Sequence, residues 1–173
     1  MNLIDNTYFI GEINLPSSVL SGNLATIDAY IERYEKEFLK NLLGYDLYKE
    51  LKAEIEDQTF TEKWDELVNG AEYTIGGYTK KWDGLINSEK VSPIAYYVYY
   101  NYLKANIVNY ESIGAVSALS ENSARVAADG LMINAWNRYV DLYNNAIEFL
   151  LVNSESYPKW ILTAEEKNNT FGI

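Results

Sequence analysis

The sequence predicts a mainly α fold, a bundle of about five helices with one inserted β-hairpin and extended N- and C-terminal arms. Apolar residues recur at spacings of three and four along several segments, which is typical of α-helices with one buried face. One short segment instead has strand-like runs on either side of Gly76-Gly77. A chain of 173 residues that is 48% hydrophobic is sufficient for one core. We expect an N-terminal arm over residues 1–20, a helical domain over 21–153 and a C-terminal tail over 154–173.

The first two predicted helices meet at a glycine. The first is expected to begin after Asn23 as N-cap and to end at Gly44. The second is expected to begin at Asp46 as its N-cap. The apolar stripes of the two helices consist of Leu24, Ile27, Ile31, Tyr34, Phe38 and Leu42, and of Leu47, Leu51 and Ile55. A short third helix is predicted over about residues 61–69, ending at Gly70.

A β-hairpin is predicted over about residues 72–82. Two adjacent glycines permit the positive φ angles of a tight primed turn, so Gly76-Gly77 should connect its two strands. An isolated two-stranded hairpin is only marginally stable in water. We therefore expect this hairpin to pack on the body of the protein or on a partner.

Two longer helices follow the hairpin. Ser92 and Pro93 are suited to open the fourth, whose first two turns carry no charge, so it should be the central helix. The pattern around Gly114 is compatible with a short strand over residues 115–119. The fifth helix is predicted over about residues 123–152, with Gly130 marking a bend or a close contact. In the tail, residues 163–166 fit a capping box before one helical turn.

The composition excludes several classes of function. The chain has no cysteine and no histidine, which removes disulfides, thiolate nucleophiles and Ser-His-Asp catalysis. Its formal net charge of −11 opposes binding to nucleic acid or to anionic lipid. The longest apolar stretch, residues 93–100, is far shorter than the roughly 20 residues of a membrane span. The N-terminal segment has no basic region typical of a secretory signal.

Candidate catalytic patterns are weak, and we expect no enzyme activity, no cofactor and no metal. Phosphate-binding loops are absent, and the S-x-x-K pattern of Ser156 and Lys159 is interrupted by Pro158. An acid trio at helical spacing is the remaining option for Mg²⁺ or acid–base chemistry; it consists of Asp28, Glu32 and Glu35. We interpret this trio as the charged, exposed face opposite the apolar stripe.

The aromatic content is unusual, with 16 Tyr, 4 Trp and 5 Phe. Three interpretations are open. The rings can form the core with their hydroxyls reaching the periphery, they can form protein–protein interfaces, or they can form a stacking platform for sugars or bases. Stacking on nucleic acid would also require flanking basic residues, which are missing.

The order of sequence segments resembles a known family of structural proteins. The segments are YIERYEKEFLKNLLGYDLYKEL, Trp82-Asp-Gly-Leu85, SPIAYYVYYNYL, ESIGAVSALSENSARV and AWNRYVDLYNNAIEFL. Together they resemble the small α-helical head–tail connector (adaptor, head-completion) proteins of tailed phages and prophages, over most of residues 24–160. Such proteins have no catalytic residues to transfer to this sequence.

The resemblance implies a structural role in the virion neck, after assembly in the bacterial cytoplasm. Connector proteins form a ring, often of twelve copies, beneath the portal, and they offer a docking surface to tail or stopper proteins. DNA passes through the ring without specific binding, and no membrane is involved. If this chain does the same, its acidic residues should concentrate on the channel face, because like charge suppresses phosphate binding.

Contacts with other subunits or partners are expected in the hairpin and in the tail. The candidates are Tyr73, Ile75, Tyr78 and Trp82 in the hairpin, and Tyr157, Trp160 and Phe171 in the tail. The alternative for each is packing within its own chain. Two other functions stay open: a helical module that binds carbohydrate or peptide through exposed Tyr and Trp, and an enzyme using only carboxylates.

Overall fold

The fold is mainly helical with one hairpin, as the sequence predicts. A computed structural model describes residues 1–15, 24–112 and 118–167. These residues contain four α-helices and two strands: α1 (Leu24–Asp57), α2 (Glu62–Asn69), β1 (Ala71–Ile75), β2 (Tyr78–Trp82), α3 (Pro93–Ser112) and α4 (Ala118–Val152). Two short 3-10 turns, Asn6–Tyr8 and Gly11–Ile13, precede α1. None of the helices in this described part combines the length and hydropathy needed to cross a bilayer.

The predicted count of five helices is wrong, because the first two predicted helices form the single element α1. Gly44 alone leaves the helical conformation, with φ 75° and ψ 170°. The positive φ angle suits glycine, which has no Cβ atom to clash with the backbone. The chain therefore breaks its helical path where the sequence predicts the first helix to end, but the two stretches join at this kink into one continuous element. The predicted N-cap Asn23 lies outside the described residues.

The hairpin begins where α2 ends. Thr61 precedes α2 as predicted, and Gly70 ends it with φ 95°. The strands pair antiparallel, with Ile75 opposite Tyr78 next to the Gly76-Gly77 turn, where both φ angles are positive. A Cβ atom at Gly70 would lie 2.5 Å from the Trp82 carbonyl oxygen, so the base of the hairpin requires glycine there.

Helix α3 is the central helix, as predicted, and packs against both α1 and α4. The Ser92 hydroxyl accepts a hydrogen bond from the Ile94 N–H at 3.2 Å and donates to the Leu85 carbonyl at 2.6 Å. Residues 94–99 are all buried. The uncharged first turns of α3 therefore form the centre of the core.

Helix α4 is longer than predicted. It includes residues 118 and 119 of the proposed short strand, while residues 113–117 lie outside the described part. Gly130 marks no close contact, because a Cβ atom there would meet nothing within 4 Å. Four apolar residues at helical spacing on α4 are buried and face the core: Tyr139, Tyr143, Ile147 and Leu150.

Both terminal segments pack on the helical body. The N-terminal segment contributes five buried apolar side chains: Ile4, Tyr8, Phe9, Ile13 and Leu15. In the tail, the predicted helical turn at residues 163–166 is absent. The tail is held along α4 instead, because Trp136 Nε1 donates to the Glu166 carbonyl at 2.8 Å and Lys167 pairs with Asp141 at 2.6 Å.

Candidate functional site

The base of the hairpin is anchored to the body by two aromatic side chains. Trp82 is buried, donates from Nε1 to the Leu67 carbonyl at 2.8 Å and stacks on Phe149 at 6.2 Å between ring centroids. Tyr73 meets the same Phe149 ring edge-on at 5.7 Å. Such aromatic packing holds the hairpin at a fixed angle to α4.

A charged group on α4 completes this anchor. The Glu148 carboxylate accepts hydrogen bonds from the Tyr73 hydroxyl at 2.5 Å and from Lys80 Nζ at 2.7 and 2.9 Å. The Lys80 hydrogen bond lowers the pKa of Glu148, and the Tyr73 hydroxyl adds to that effect. Burial, reinforced by Glu148, raises the pKa of Tyr73 to about 12. Tyr73 and Lys80 are therefore committed to contacts within the chain.

The tip of the hairpin is apolar and open to solvent. Ile75 is 37% exposed and Tyr78 is 77% exposed, and the two residues face each other across the turn. Of the four hairpin residues predicted to make contacts, Tyr73 and Trp82 instead pack within the chain. Ile75 and Tyr78 remain available to a partner.

The predicted contact residues of the tail also pack within the chain. Tyr157 is 2% exposed, donates its hydroxyl proton to the Lys63 carbonyl and meets Trp64 edge-on. Burial raises the pKa of Tyr157 well above its usual value. Trp160 is half-buried and donates from Nε1 to the Leu42 carbonyl at 2.7 Å. The intrachain alternative therefore describes both residues, and Phe171 lies outside the described residues.

The acid trio on α1 is not a single exposed face, and that interpretation was wrong for one member. Asp28 and Glu32 are exposed, but Glu35 is 4% exposed beneath the N-terminal segment. Its carboxylate accepts the N–H of Leu3 at 2.9 and 3.0 Å and the N–H of Ile4 at 3.1 Å. Burial raises the pKa of Glu35 to about 7, although both N–H donors act in the opposite direction. The spacing of residues along α1 cannot predict this burial, because the segment that covers Glu35 is the distant N-terminal one.

The acidic groups do not assemble into a catalytic pair or a metal site in the described part of the chain. No cluster of three potential metal ligands occurs there. Among the described residues, Glu165 is the other carboxyl group with a raised pKa, caused by burial; it belongs to the tail and lies beside Tyr139 of α4 rather than near Glu35. Glycoside hydrolysis by two acids requires both carboxyl groups in one cleft.

Most described aromatic side chains belong to the core, with their polar atoms reaching outward. The Tyr97 hydroxyl donates to Glu37 at 2.6 Å, and the Tyr96 hydroxyl donates to Glu12 at 3.1 Å. A surface depression of about 490 Å³ lies along α1 and is lined by Ala29 and by charged side chains of both signs, without an aromatic ring. A second one, of about 260 Å³ beside Gly44, has the single ring of Tyr45 in its lining. Neither brings together the several rings of a stacking platform for sugars or bases.

The chain belongs to a family of unknown function (DUF6712), whose model matches residues 39–170. The matched region begins within α1 and includes the hairpin, α3, α4 and the tail. No curated protein and no solved structure is significantly similar to the chain. The family description states no activity, so function has to be argued from the surface of this protein.

Proposed function

We propose that this protein is a non-enzymatic structural protein, a phage or prophage head–tail connector that forms a ring between portal and tail and extends the DNA channel. The observation that carries the proposal is a hairpin that is fixed at its base and apolar at its exposed tip. The sequence resemblance described above supports the same function. Its place would be the virion neck, and it would need no cofactor.

The hairpin has the properties that a contact element between rigid subunits requires. Its base is held by Trp82, by Tyr73 and by the ion pair of Lys80 with Glu148 at 2.7 Å. Its tip exposes Ile75 and Tyr78, whose burial by a partner would be favourable. A pre-organised element loses little conformational entropy on binding. Portal, tail or stopper proteins are the partners that this proposal assigns, besides neighbouring copies in a ring that is often a dodecamer.

The net charge suits a channel rather than a nucleic-acid binding site. A chain with 25 acidic and 14 basic residues repels phosphate, so DNA could slide past it without binding. We predict that the acidic side chains of the assembled ring concentrate on the channel wall. A ring structure with a neutral or basic lumen would contradict this part of the proposal.

The two alternative functions find less support in the described residues. A carbohydrate- or peptide-binding module needs several exposed aromatic rings in one groove, whereas the largely exposed rings are Tyr45 on α1 and Tyr78 on the hairpin. A carboxylate enzyme needs two acids in one cleft, whereas Glu35 is covered by backbone N–H groups and Glu165 lies on the tail.

The test begins with the genes on either side of this one. Portal, capsid or tail genes are expected, and the neighbouring portal would then be produced and its binding to this protein measured. The double variant Ile75→Ser, Tyr78→Ser should keep the wild-type melting temperature and bind the portal or the ring at least about tenfold more weakly. Tyr45→Ser, which removes a similarly exposed ring elsewhere (67% against 77% for Tyr78), is the matched control and should bind normally.

Three results would count against the proposal. The first is a gene neighbourhood of sugar-uptake or metabolic genes without virion proteins, which would make glycan binding the next assay. The second is a neighbouring portal that does not bind the folded protein. The third is equal weakening by the tip variant and by Tyr45→Ser, which would show that the tip has no special role.

A further inference from the structure

The hairpin leaves both of its edges unpaired. With Ile75 and Tyr78 as the hydrogen-bonded pair next to a two-residue turn, the N–H and C=O groups of alternate residues point away from the partner strand. These outward-facing residues are Glu72 and Thr74 on β1, and Thr79 and Lys81 on β2. All four are exposed, and within the described part of the chain their N–H groups have no hydrogen-bond partner. Unpaired strand edges are templates for an added strand.

The two edges carry opposite charge. Strand β1 has Glu72 as its charged residue, whereas β2 has Lys80 and Lys81. Lys80 is held by Glu148, and Lys81 makes a weak, largely exposed ion pair with Asp83 at 3.2 Å. Two β2 edges placed side by side would bring four lysines together, and two β1 edges would bring two glutamates together. Pairing of unlike edges instead places Lys81 between two glutamates, Glu72 of its own hairpin and Glu72 of the next copy.

We infer that the β1 edge of one copy pairs with the β2 edge of the next copy, antiparallel and head to tail. With neighbouring hairpins at the same level, Thr79 faces Thr74 of the next copy and Lys81 faces Glu72. Each further copy then adds its hairpin in the same orientation, and the strand order β1-β2-β1-β2 continues through successive subunits. A third strand also supplies the pairing that an isolated two-stranded hairpin lacks.

This pairing specifies the kind of symmetry. An interface between unlike edges is heterologous, so it closes into a ring or extends into a filament, and it does not form a two-fold dimer. The inference rests on the proposed ring-forming function and deepens it by assigning the contact between subunits. The partner at the edges is a second copy of this chain, and the apolar tip remains free for another protein.

Disulfide cross-linking tests the direction of pairing, because the chain has no cysteine of its own. Thr74→Cys and Thr79→Cys are produced as separate proteins and oxidised, alone and as an equimolar mixture. Directly opposed residues of a hydrogen-bonded antiparallel pair lie about 5.5 Å apart between Cα atoms, within reach of a disulfide. We expect a covalent dimer in the mixture at several times the yield of either variant alone. Equal or higher yield with one variant alone would indicate two-fold pairing and would overturn the inference.

A second pair of variants tests the edge hydrogen bonds. Thr79→Pro removes the outward N–H and blocks an approaching strand, whereas it leaves the β1–β2 ladder intact, since Thr79 donates no ladder hydrogen bond. We expect self-association, measured by sedimentation, to weaken at least about tenfold. Thr79→Ala keeps the N–H and is the matched control. Unchanged association of the folded proline variant would contradict the pairing.

Charge reversal supplies a rescue experiment. Lys81→Glu alone should weaken self-association several-fold, because the new carboxylate opposes Glu72 of the neighbour. It also opposes Glu72 of its own hairpin, so the comparison requires that the variant keeps the wild-type melting temperature. The double variant Glu72→Lys, Lys81→Glu should restore self-association. Failure of rescue, or a chain that stays monomeric and uncross-linked at millimolar concentration, would refute the inference.

Failure of this inference is distinguishable from failure of the proposed function. A ring that binds the portal but gives no mixed cross-link would leave the connector function standing and overturn the edge pairing. A mixed cross-link in a protein whose neighbouring genes encode no virion component would support the edge pairing and refute the connector function.

Discussion

Replacement of Glu35 with glutamine should remove a pH dependence of stability that the wild-type protein carries. The backbone N–H donors and the N-terminal ammonium favour the charged carboxylate, but burial disfavours it more strongly and raises its pKa from 4.5 to about 7. Tyr8 is the other titratable group that faces Glu35, and its own pKa is raised above 10, so it does not titrate in this range. The folded protein therefore holds a proton at Glu35 at pH values where the unfolded chain has released it.

The sign and the size of the effect follow from this difference. Because the folded state binds more protons than the unfolded state between about pH 4.5 and 7, the free energy of unfolding falls as the pH rises through that range. The rise in the pKa of Glu35 corresponds to a loss on the order of 3 kcal/mol. Below pH 4.5 both states are protonated at Glu35 and the penalty is absent. Above about pH 7 the penalty is complete.

The assay is urea unfolding, followed by Trp fluorescence, at several pH values from 4.5 to 8. Glu35→Gln cannot ionise, and its side-chain oxygen can still accept an N–H from the first residues. We expect the variant and the wild type to have similar stability near pH 4.5, and the variant to be more stable by up to about 3 kcal/mol at pH 8. Glu32→Gln, an exposed carboxylate on the same helix, is the control and should show a small, constant difference.

Two outcomes would refute this reasoning. A constant difference between wild type and Glu35→Gln at every pH would mean that Glu35 keeps an ordinary pKa and that the N–H donors fully offset burial. A variant that is less stable than the wild type, with a deficit that grows as the pH rises through about 4.5 and is then constant up to pH 8, would mean that the charged form is the preferred partner of the Leu3 and Ile4 N–H groups.

Three further predictions concern the core, each measured by urea or thermal unfolding. Tyr139→Phe removes a buried hydroxyl that lies beside the Glu165 carboxyl but makes no hydrogen bond of good geometry in the described residues, so the free energy of unfolding should stay within about 0.5 kcal/mol or increase. Tyr97→Phe should lower the free energy of unfolding by roughly 1.5–3 kcal/mol, because it leaves Glu37 without its donor. The reverse order would contradict the hydrogen-bond assignment. Gly70→Ala should lower the free energy of unfolding by roughly 2 kcal/mol or more, because Gly70 has a positive φ angle and lies against the Trp82 carbonyl. Gly130→Ala, in open space on a helix, should raise the free energy of unfolding by up to about 1 kcal/mol. Equal effects of the two substitutions would refute this contrast. Tyr157→Ala should lower the free energy of unfolding by about 3–5 kcal/mol, because it leaves a cavity at a fully buried aromatic position. A small loss of stability would show that the tail is not part of the core.

Local patterns were sufficient to predict most of the elements. The Gly76-Gly77 turn, the Ser92-Pro93 start of α3 and the stop of α2 at Gly70 each depend on the backbone preferences of a few adjacent residues. The predicted number of helices was wrong at Gly44, because local backbone preferences were not sufficient there. A glycine at that point is compatible with a helix end or with a kink inside one helix, and only the packing of both halves against the body decides between them.

The surface was harder to predict than the fold. Tyr73, Trp82, Tyr157 and Trp160 have the composition typical of an interface, and each is instead held by a group more than ten residues away, such as Glu148 or the Leu42 carbonyl. The burial of Glu35 likewise depends on where the N-terminal segment lies. Amphipathic spacing shows which face of a helix is apolar, but it does not show which distant segment covers a polar position on that face.

The many acidic residues and the many tyrosines of this chain are related, because several tyrosine hydroxyls donate hydrogen bonds to carboxylates. Three buried or nearly buried tyrosines on α3 and β1 place their hydroxyls on carboxylates of other elements: Tyr97 on Glu37, Tyr96 on Glu12 and Tyr73 on Glu148. In each pair the ring fills the core and the hydroxyl meets the charge at the edge of the core, where a phenylalanine would leave the carboxylate without this donor. Rings used in this way are not available for stacking on a ligand, which weakens the carbohydrate-binding alternative. The hairpin remains available as a contact surface, because the aromatic ring of Tyr78 is exposed and the strand edges have no partner in the described residues.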